Sequence, residues 1–165
     1  MKPKVLIVIG SDSDLPVMEE AGKVLEELSI SYTLTVTSAH RSPELTRKLA
    51  TEAEEKGVEV IIAGAGMAAH LAGVLASYTL LPVIGVPIDS SSLHGLDSLL
   101  STVQMPPGVP VATMAIGIAG ARNAAIFSAQ IVSKKDSRVA KRLKEYKKKM
   151  SEEVEAKAGT LGKHH

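Results

Sequence analysis

Five short apolar runs punctuate the chain, at residues 5–9, 32–36, 58–63, 82–86 and 111–116. Most are apolar at successive positions rather than at alternate ones, which is the mark of strands covered by helices on both faces. Between them, apolar residues recur every three or four positions. In 16–28 the stripe is Val17, Ala21, Val24, Leu25 and Leu28, the spacing of a helix with one buried face. Pro16 falls in its first turn, where a missing N–H costs little, and Asp14 stands before it as a candidate cap. Residues 43–55 repeat the pattern, with Ser42 as N-cap, Pro43 in the first turn and Gly57 as the stop. Further helices are predicted over 69–78, 96–103 and 121–132.

Strand and helix alternate five times, and every link is too long for a hairpin. Right-handed βαβ units and a parallel five-stranded sheet follow. The expected fold is α/β: a three-layer α/β/α sandwich of flavodoxin-like order. Residues 1–133 form the α/β catalytic domain, and 134–163 are read as a basic helical extension of it. His164 and His165 read as a tag remnant.

Charge singles out that extension. Residues 134–149 carry nine Lys or Arg and two acids, a net of +7, in a chain whose total is +1. A solvated helix packing Val139, Leu143, Tyr146 and Met150 on its inner stripe is the simpler reading. A nucleic-acid or anionic-membrane surface is the alternative, but no aromatic interleaving or recognition motif supports it. Composition narrows the rest. Hydrophobic residues make up 45% and the charges nearly balance, which argues against disorder. With no Cys, disulfides, thiolate metal sites and Cys nucleophiles are excluded. Three Tyr, one Phe and no Trp leave little to stack bases on. No apolar run approaches the ~20 residues of a membrane span, and no signal peptide is read at the start, so a cytoplasmic location is expected.

The candidate chemistry lies in the segments after the strands. They read Gly10-Ser11-Asp12-Ser13-Asp14, Ser38-Ala39-His40-Arg41-Ser42-Pro43, Gly64-Ala65-Gly66-Met67-Ala68-Ala69-His70, the stretch from Pro87 to Gly95, and Gly117 to Asn123. In a parallel sheet all five project from the carboxyl edge, where open α/β sheets bind ligands. The opposite turns, such as Ser29-Ile30-Ser31, are plainer. Ser11 and Ser13 with nearby backbone N–H groups suit an anion cradle, while Asp12 and Asp14 suit helix capping or ribose hydroxyls. No Lys follows a glycine loop, so this is no P-loop. Arg41 offers a planar fork for phosphate or carboxylate, and His40 beside it can give or take a proton near neutrality. The Gly64–Ala69 stretch lets backbone approach a ligand closely. His70 is either a second titratable group of the pocket or a tie between loops, and His94 is read as peripheral.

Taken together, GSDSD at Gly10 to Asp14, SAHRSP at Ser38 to Pro43, AGAGMAAHLAG at Ala63 to Gly73, GVPIDSSSLHGLDSLLSTVQMP at Gly85 to Pro106 and GIAGARNAA at Gly117 to Ala125 resemble the N5-carboxyaminoimidazole ribonucleotide mutases, the class I PurE family. The resemblance implies a flavodoxin-like subunit in a homo-octamer, acting on a small ribonucleotide in purine biosynthesis without metal or cofactor. It implies migration of a carboxylate from the exocyclic nitrogen to ring carbon four. His40 matches the general acid/base, and His70 the histidine of the glycine-rich loop. Ser11, Ser13, Asp14, Ser38, Arg41 and the Gly66 backbone match substrate-binding positions. The related class II enzymes, which add CO2 to the free amine, are the alternative. They resemble the chain less, having a Gly-Arg-Ser-Asn type loop where this one has Gly66-Met67-Ala68-Ala69-His70. The chain departs from the class I pattern at Met67, where that loop has glycine, and at Ala72, where it has proline. A receiver-type signalling domain would want acids after the first and third strands and a Lys after the fifth, and a flavin module would want aromatic stacking in the loops. Neither pattern is present.

Overall fold

The computed structural model describes residues 2–161, and His164 and His165 lie outside them. Five parallel strands form one sheet: β1 (Val5–Ile9), β2 (Tyr32–Val36), β3 (Val60–Gly66), β4 (Val83–Ile88) and β5 (Ala112–Thr113), in the order β2-β1-β3-β4-β5. This is the expected flavodoxin-like layout. The helices are α1 (Leu15–Glu27), α2 (Pro43–Glu52), α3 (Leu71–Ser77), α4 (Leu96–Val103), α5 (Ile118–Val132) and α6 (Ser137–Leu161). A 3-10 turn over Asp12–Asp14 precedes α1.

β1 and β4 are buried along their whole length, and β3 up to Gly64, because helices cover both faces. On one face Val5, Ile7, Val60, Ile62, Ile84 and Val86 pack against Met18, Leu25 and the Ala121, Ala124 and Ala125 stripe of α5. On the other, Leu6, Val8, Ile61 and Ala63 meet Ala50, Leu71 and Leu75. Gly85 lies beneath Thr102 of α4, where a Cβ would sit 2.4 Å from the threonine methyl. The basic α6 joins the first core through Val139 and Leu143, with Tyr146 partly buried beside them.

Several local expectations change. The strand expected at 111–116 pairs only at Ala112 and Thr113. Of its remaining apolar residues Val111, Met114 and Ile116 are half-buried and Ala115 is exposed, and Met114 N–H still bonds Gly85 O of β4 at 2.9 Å. β2 is an edge strand and half-exposed. α2 ends at Glu52, and the chain turns onward to Gly57, whose φ of +92° suits glycine. α5 begins at Ile118, three residues early. Met150 is 50% exposed, so the inner stripe of α6 stops at Tyr146. Neither Asp14 nor Ser42 caps the α-helix that it precedes. Both side chains are engaged in the loops that build the site.

Candidate active site

Register brings three loops to one level. Ile9 pairs with Val36 on one side and Gly64 on the other. The backbone bonds Thr37 N–H to Ile9 O (3.0 Å) and Gly10 N–H to Gly64 O (2.9 Å) then hold the segments beyond. The chain goes from β1 to one neighbour and then returns to the other, so this is the switch point at which open α/β sheets leave a crevice. The crevice is a cleft of about 580 Å³. All eight residues singled out from the sequence line it: Ser11, Ser13, Asp14, Ser38, His40, Arg41, Gly66 and His70. The stretch after β4 contributes Ser90 alone, and the Gly117–Asn123 stretch contributes nothing. That stretch follows an edge strand two places from the switch point and is mostly the first turn of α5. His94 also stays outside, exposed and 3.7 Å from Asp89.

The first loop is ordered by its own polar side chains. Ser11 accepts from Ser13 N–H while Asp14 accepts from Ser11 N–H (3.1 Å), a reciprocal capping box on the 3-10 turn. Ser13 Oγ donates to Ser11 Oγ (2.9 Å), which donates to Asp12 Oδ1 (3.0 Å). Asp14 is only 3% exposed. Burial raises its pKa above the ordinary carboxylate value, partly offset by the N–H groups of Ser11 and Gly10, with the neighbouring Asp12 charge pushing the same way as burial.

The second loop is a turn closed by Ser42 N–H to Ser38 O (2.8 Å). Ser42 Oγ bonds inside that turn, to Ser38 N–H (3.1 Å) and Thr37 Oγ1 (3.1 Å), which explains why it does not cap α2. Arg41 leans on Ser38, whose Oγ accepts its backbone N–H at 3.1 Å. Among the described residues no carboxylate lies within ion-pair distance of the Arg41 guanidinium. Its fork is therefore available to an anion.

The third loop leaves β3 through Gly66. A Cβ there would lie 1.7 Å from Ser90 Oγ and 2.8 Å from Ser90 Cβ, so only glycine allows this approach. Met67 follows with φ +54°, a left-handed conformation costing a non-glycine residue of order 1 kcal/mol. Two successive tight turns, Ala69 N–H to Met67 O (2.9 Å) and His70 N–H to Ala68 O (2.8 Å), then deliver His70 to the start of α3.

His40 and His70 meet over the cleft. Nε2 of His40 lies 2.8 Å from Nδ1 of His70, with ring centroids 5.0 Å apart and planes at 82°. One ring must donate and the other accept, so a single proton sits between them. Sequence reasoning found both histidines but not their contact; β2 and β3 are separate neighbours of β1, and their loops lean together across its end. It also passed over Ser90, whose only signal was its place after β4. Among the described residues, no three His, Asp or Glu side chains are gathered to hold a metal ion, and no helix is long and apolar enough to cross a membrane.

Residues 4–153 match the family model described as AIR carboxylase. The chain belongs to the AIR carboxylase family. Curated relatives named N5-carboxyaminoimidazole ribonucleotide mutase are similar along most of its length. That of Pyrococcus abyssi is 60% identical over 148 residues, covering 90% of this chain and 84% of the relative. That of Thermotoga maritima is 57% identical over 159 residues, covering 96% and 92%. That of Escherichia coli K12 is 50% identical over 151 residues, covering 92% and 89%. Among solved structures, Treponema denticola PurE superposes with a TM-score of 0.87 at 27% identity, covering 96% of this chain and 98% of that one. Membership in the AIR carboxylase family accounts for the ordering of the five quoted motifs around one sheet edge.

Proposed function

We propose that this AIR carboxylase family member is an N5-carboxyaminoimidazole ribonucleotide mutase, an isomerase of purine biosynthesis. The mutase names of relatives at 50–60% identity support this reading. The observation that carries it is the convergence of the His40–His70 pair, the Arg41 fork and the two-serine loop on one cleft walled by Gly and Ala.

The chemistry follows from those groups. Arg41 and the Ser11–Ser13 loop hold the 5′-phosphate through charge-assisted bonds, and the serine hydroxyls turn from each other toward it. Asp14, buried in the cleft wall, accepts from ribose hydroxyls. Ser38 steadies the Arg41 turn and faces the ligand. Protonated His40 gives a proton to the exocyclic nitrogen as the N–C bond breaks, which leaves a neutral imidazole. The bonding pair stays on nitrogen, and carbon leaves as CO2. Ring carbon four then attacks that CO2, and the imidazole recovers a proton from the same carbon, so the protons balance. Holding CO2 against the ring replaces a bimolecular capture, an effect of roughly 7–11 kcal/mol in the best-oriented cases. Acid/base catalysis by His40 contributes about 10²–10⁴-fold. The backbone of Gly66 lets the ring approach β3 closely.

The resemblance further implies a homo-octamer. The exposed apolar residues Leu93, Leu96, Leu100, Val103 and Ile118 support burial against other copies, and light scattering tests the mass. The function is tested by supplying the N-carboxylated ribonucleotide in bicarbonate-depleted medium, and separately the free amine with bicarbonate. Carbon-carboxylated product from the first substrate is expected. Turnover only with the second would replace the mutase by a class II-type carboxylase.

A further inference from the structure

Met67 combines features that the fold does not require. Its φ is +54°, where glycine would sit without strain. Its side chain is 59% exposed and belongs to neither hydrophobic cluster, so core burial does not repay the strain. Yet it stands on the lip of the cleft, in the loop that runs from Gly66 to His70. The other large apolar side chain of the lining, Leu71, is 2% exposed and packed into the core from the first turn of α3. The remaining wall near the histidines is Ala39, Ala65, Gly66 and Ala68. None of these can reach across an opening. Methionine can, because it is unbranched and has three rotatable side-chain bonds.

We infer that Met67 is a retention residue: its side chain folds over the bound heterocycle and keeps released CO2 beside ring carbon four. The inference rests on the mutase reading, because only a reaction through free CO2 has something to lose. CO2 is small and apolar, while the cleft is far larger than that molecule. An apolar cover over the Gly/Ala wall excludes water and lengthens the stay of CO2 without giving it a polar partner.

The test gives the enzyme unlabelled N-carboxylated ribonucleotide in medium holding ¹³C-bicarbonate and carbonic anhydrase. Two quantities are read: free amine released per product formed, and ¹³C in the product. In Met67→Ala, which removes the cover but keeps the backbone demand, both ratios are expected to rise about fivefold, equivalent to about 1 kcal/mol in the barrier to escape. Met67→Leu, which restores apolar bulk, is expected to return them toward wild type. Thermal melts confirm that both variants fold. Wild-type turnover without bicarbonate, together with unchanged ratios in Met67→Ala, would overturn the retention role alone. A wild-type enzyme that requires bicarbonate would overturn the reading of the reaction and this inference with it.

Discussion

The two histidines are structurally linked but chemically unequal, and substitution at each separates the roles. His40→Asn removes the proton carrier and is expected to lower kcat by about 10²–10⁴-fold. For His70 the structure sets a smaller scale. Its Nδ1 makes one bond to His40, at 2.8 Å, and such a bond contributes about 0.5–1.5 kcal/mol net. Losing it in His70→Leu therefore costs between about twofold and about twelvefold in rate. His70→Asn is expected to lose less, because its amide puts a donor or acceptor close to where Nδ1 stood. Once His40 is gone, the His70→Leu change is expected to add little, since the residues act as a unit. Single-turnover rates with the carboxylated ribonucleotide measure all four variants. The reasoning fails if His70→Leu falls as far as His40→Asn, or if His70→Asn is no better than His70→Leu.

Arg41→Ala is expected to raise KM by roughly tenfold or more with a smaller change in kcat, since a charge-assisted bond contributes about 1.5–3 kcal/mol; an unchanged KM contradicts its role. Gly66→Ala forces a Cβ to within 2.8 Å of Ser90 Cβ and is expected to cost about 1–3 kcal/mol of stability. Ser90→Gly in the same chain should recover much of it in melts at fixed protein concentration. Asp14→Asn removes a buried carboxylate whose pKa is raised by desolvation. The native state holds that proton more tightly than the unfolded one, so ionisation penalises the fold as pH rises through the native pKa. The variant should melt higher than wild type at neutral pH, converge with it in the acid range, and bind substrate less well. Asp136, held down to about 2 by the Arg138 side chain and backbone N–H at the start of α6, shows the opposite sign. Its contribution is present above its ordinary value of 3.8 and is lost as pH falls toward about 2. An NMR titration of the Asp136 carboxyl checks that directly.

Fold class was legible because five buried strands and their helices leave strong periodic marks. Edges were less so. Tyr32 to Val36 read as another covered strand, though Thr33 and Val36 are exposed once the sheet order makes β2 an edge. The run from Val111 to Ile116 read as a full strand because apolar character marks a strand without telling how far it pairs, and here the run is only half-buried. The cleft's residues were legible one loop at a time, but which loops share a wall depends on strand order. That dependence explains why Gly117–Asn123 was grouped with the others and lies apart from them. It also explains why the His40–His70 contact, 30 positions apart in sequence, left no trace in spacing. The left-handed backbone at Met67 was hidden for another reason: methionine gives no warning of a conformation that glycine normally marks.

The paired tight turns from Met67 to His70 set how this chain can change over evolution. Each hydrogen bond there reaches only two residues along, so the path has no slack to absorb an insertion. One extra residue would displace the His70 ring by about 3.5 Å, beyond the reach of its partner. Length variation is thereby barred from four positions of this loop and diverted to turns such as Ser29–Ser31, at the other end of the strands.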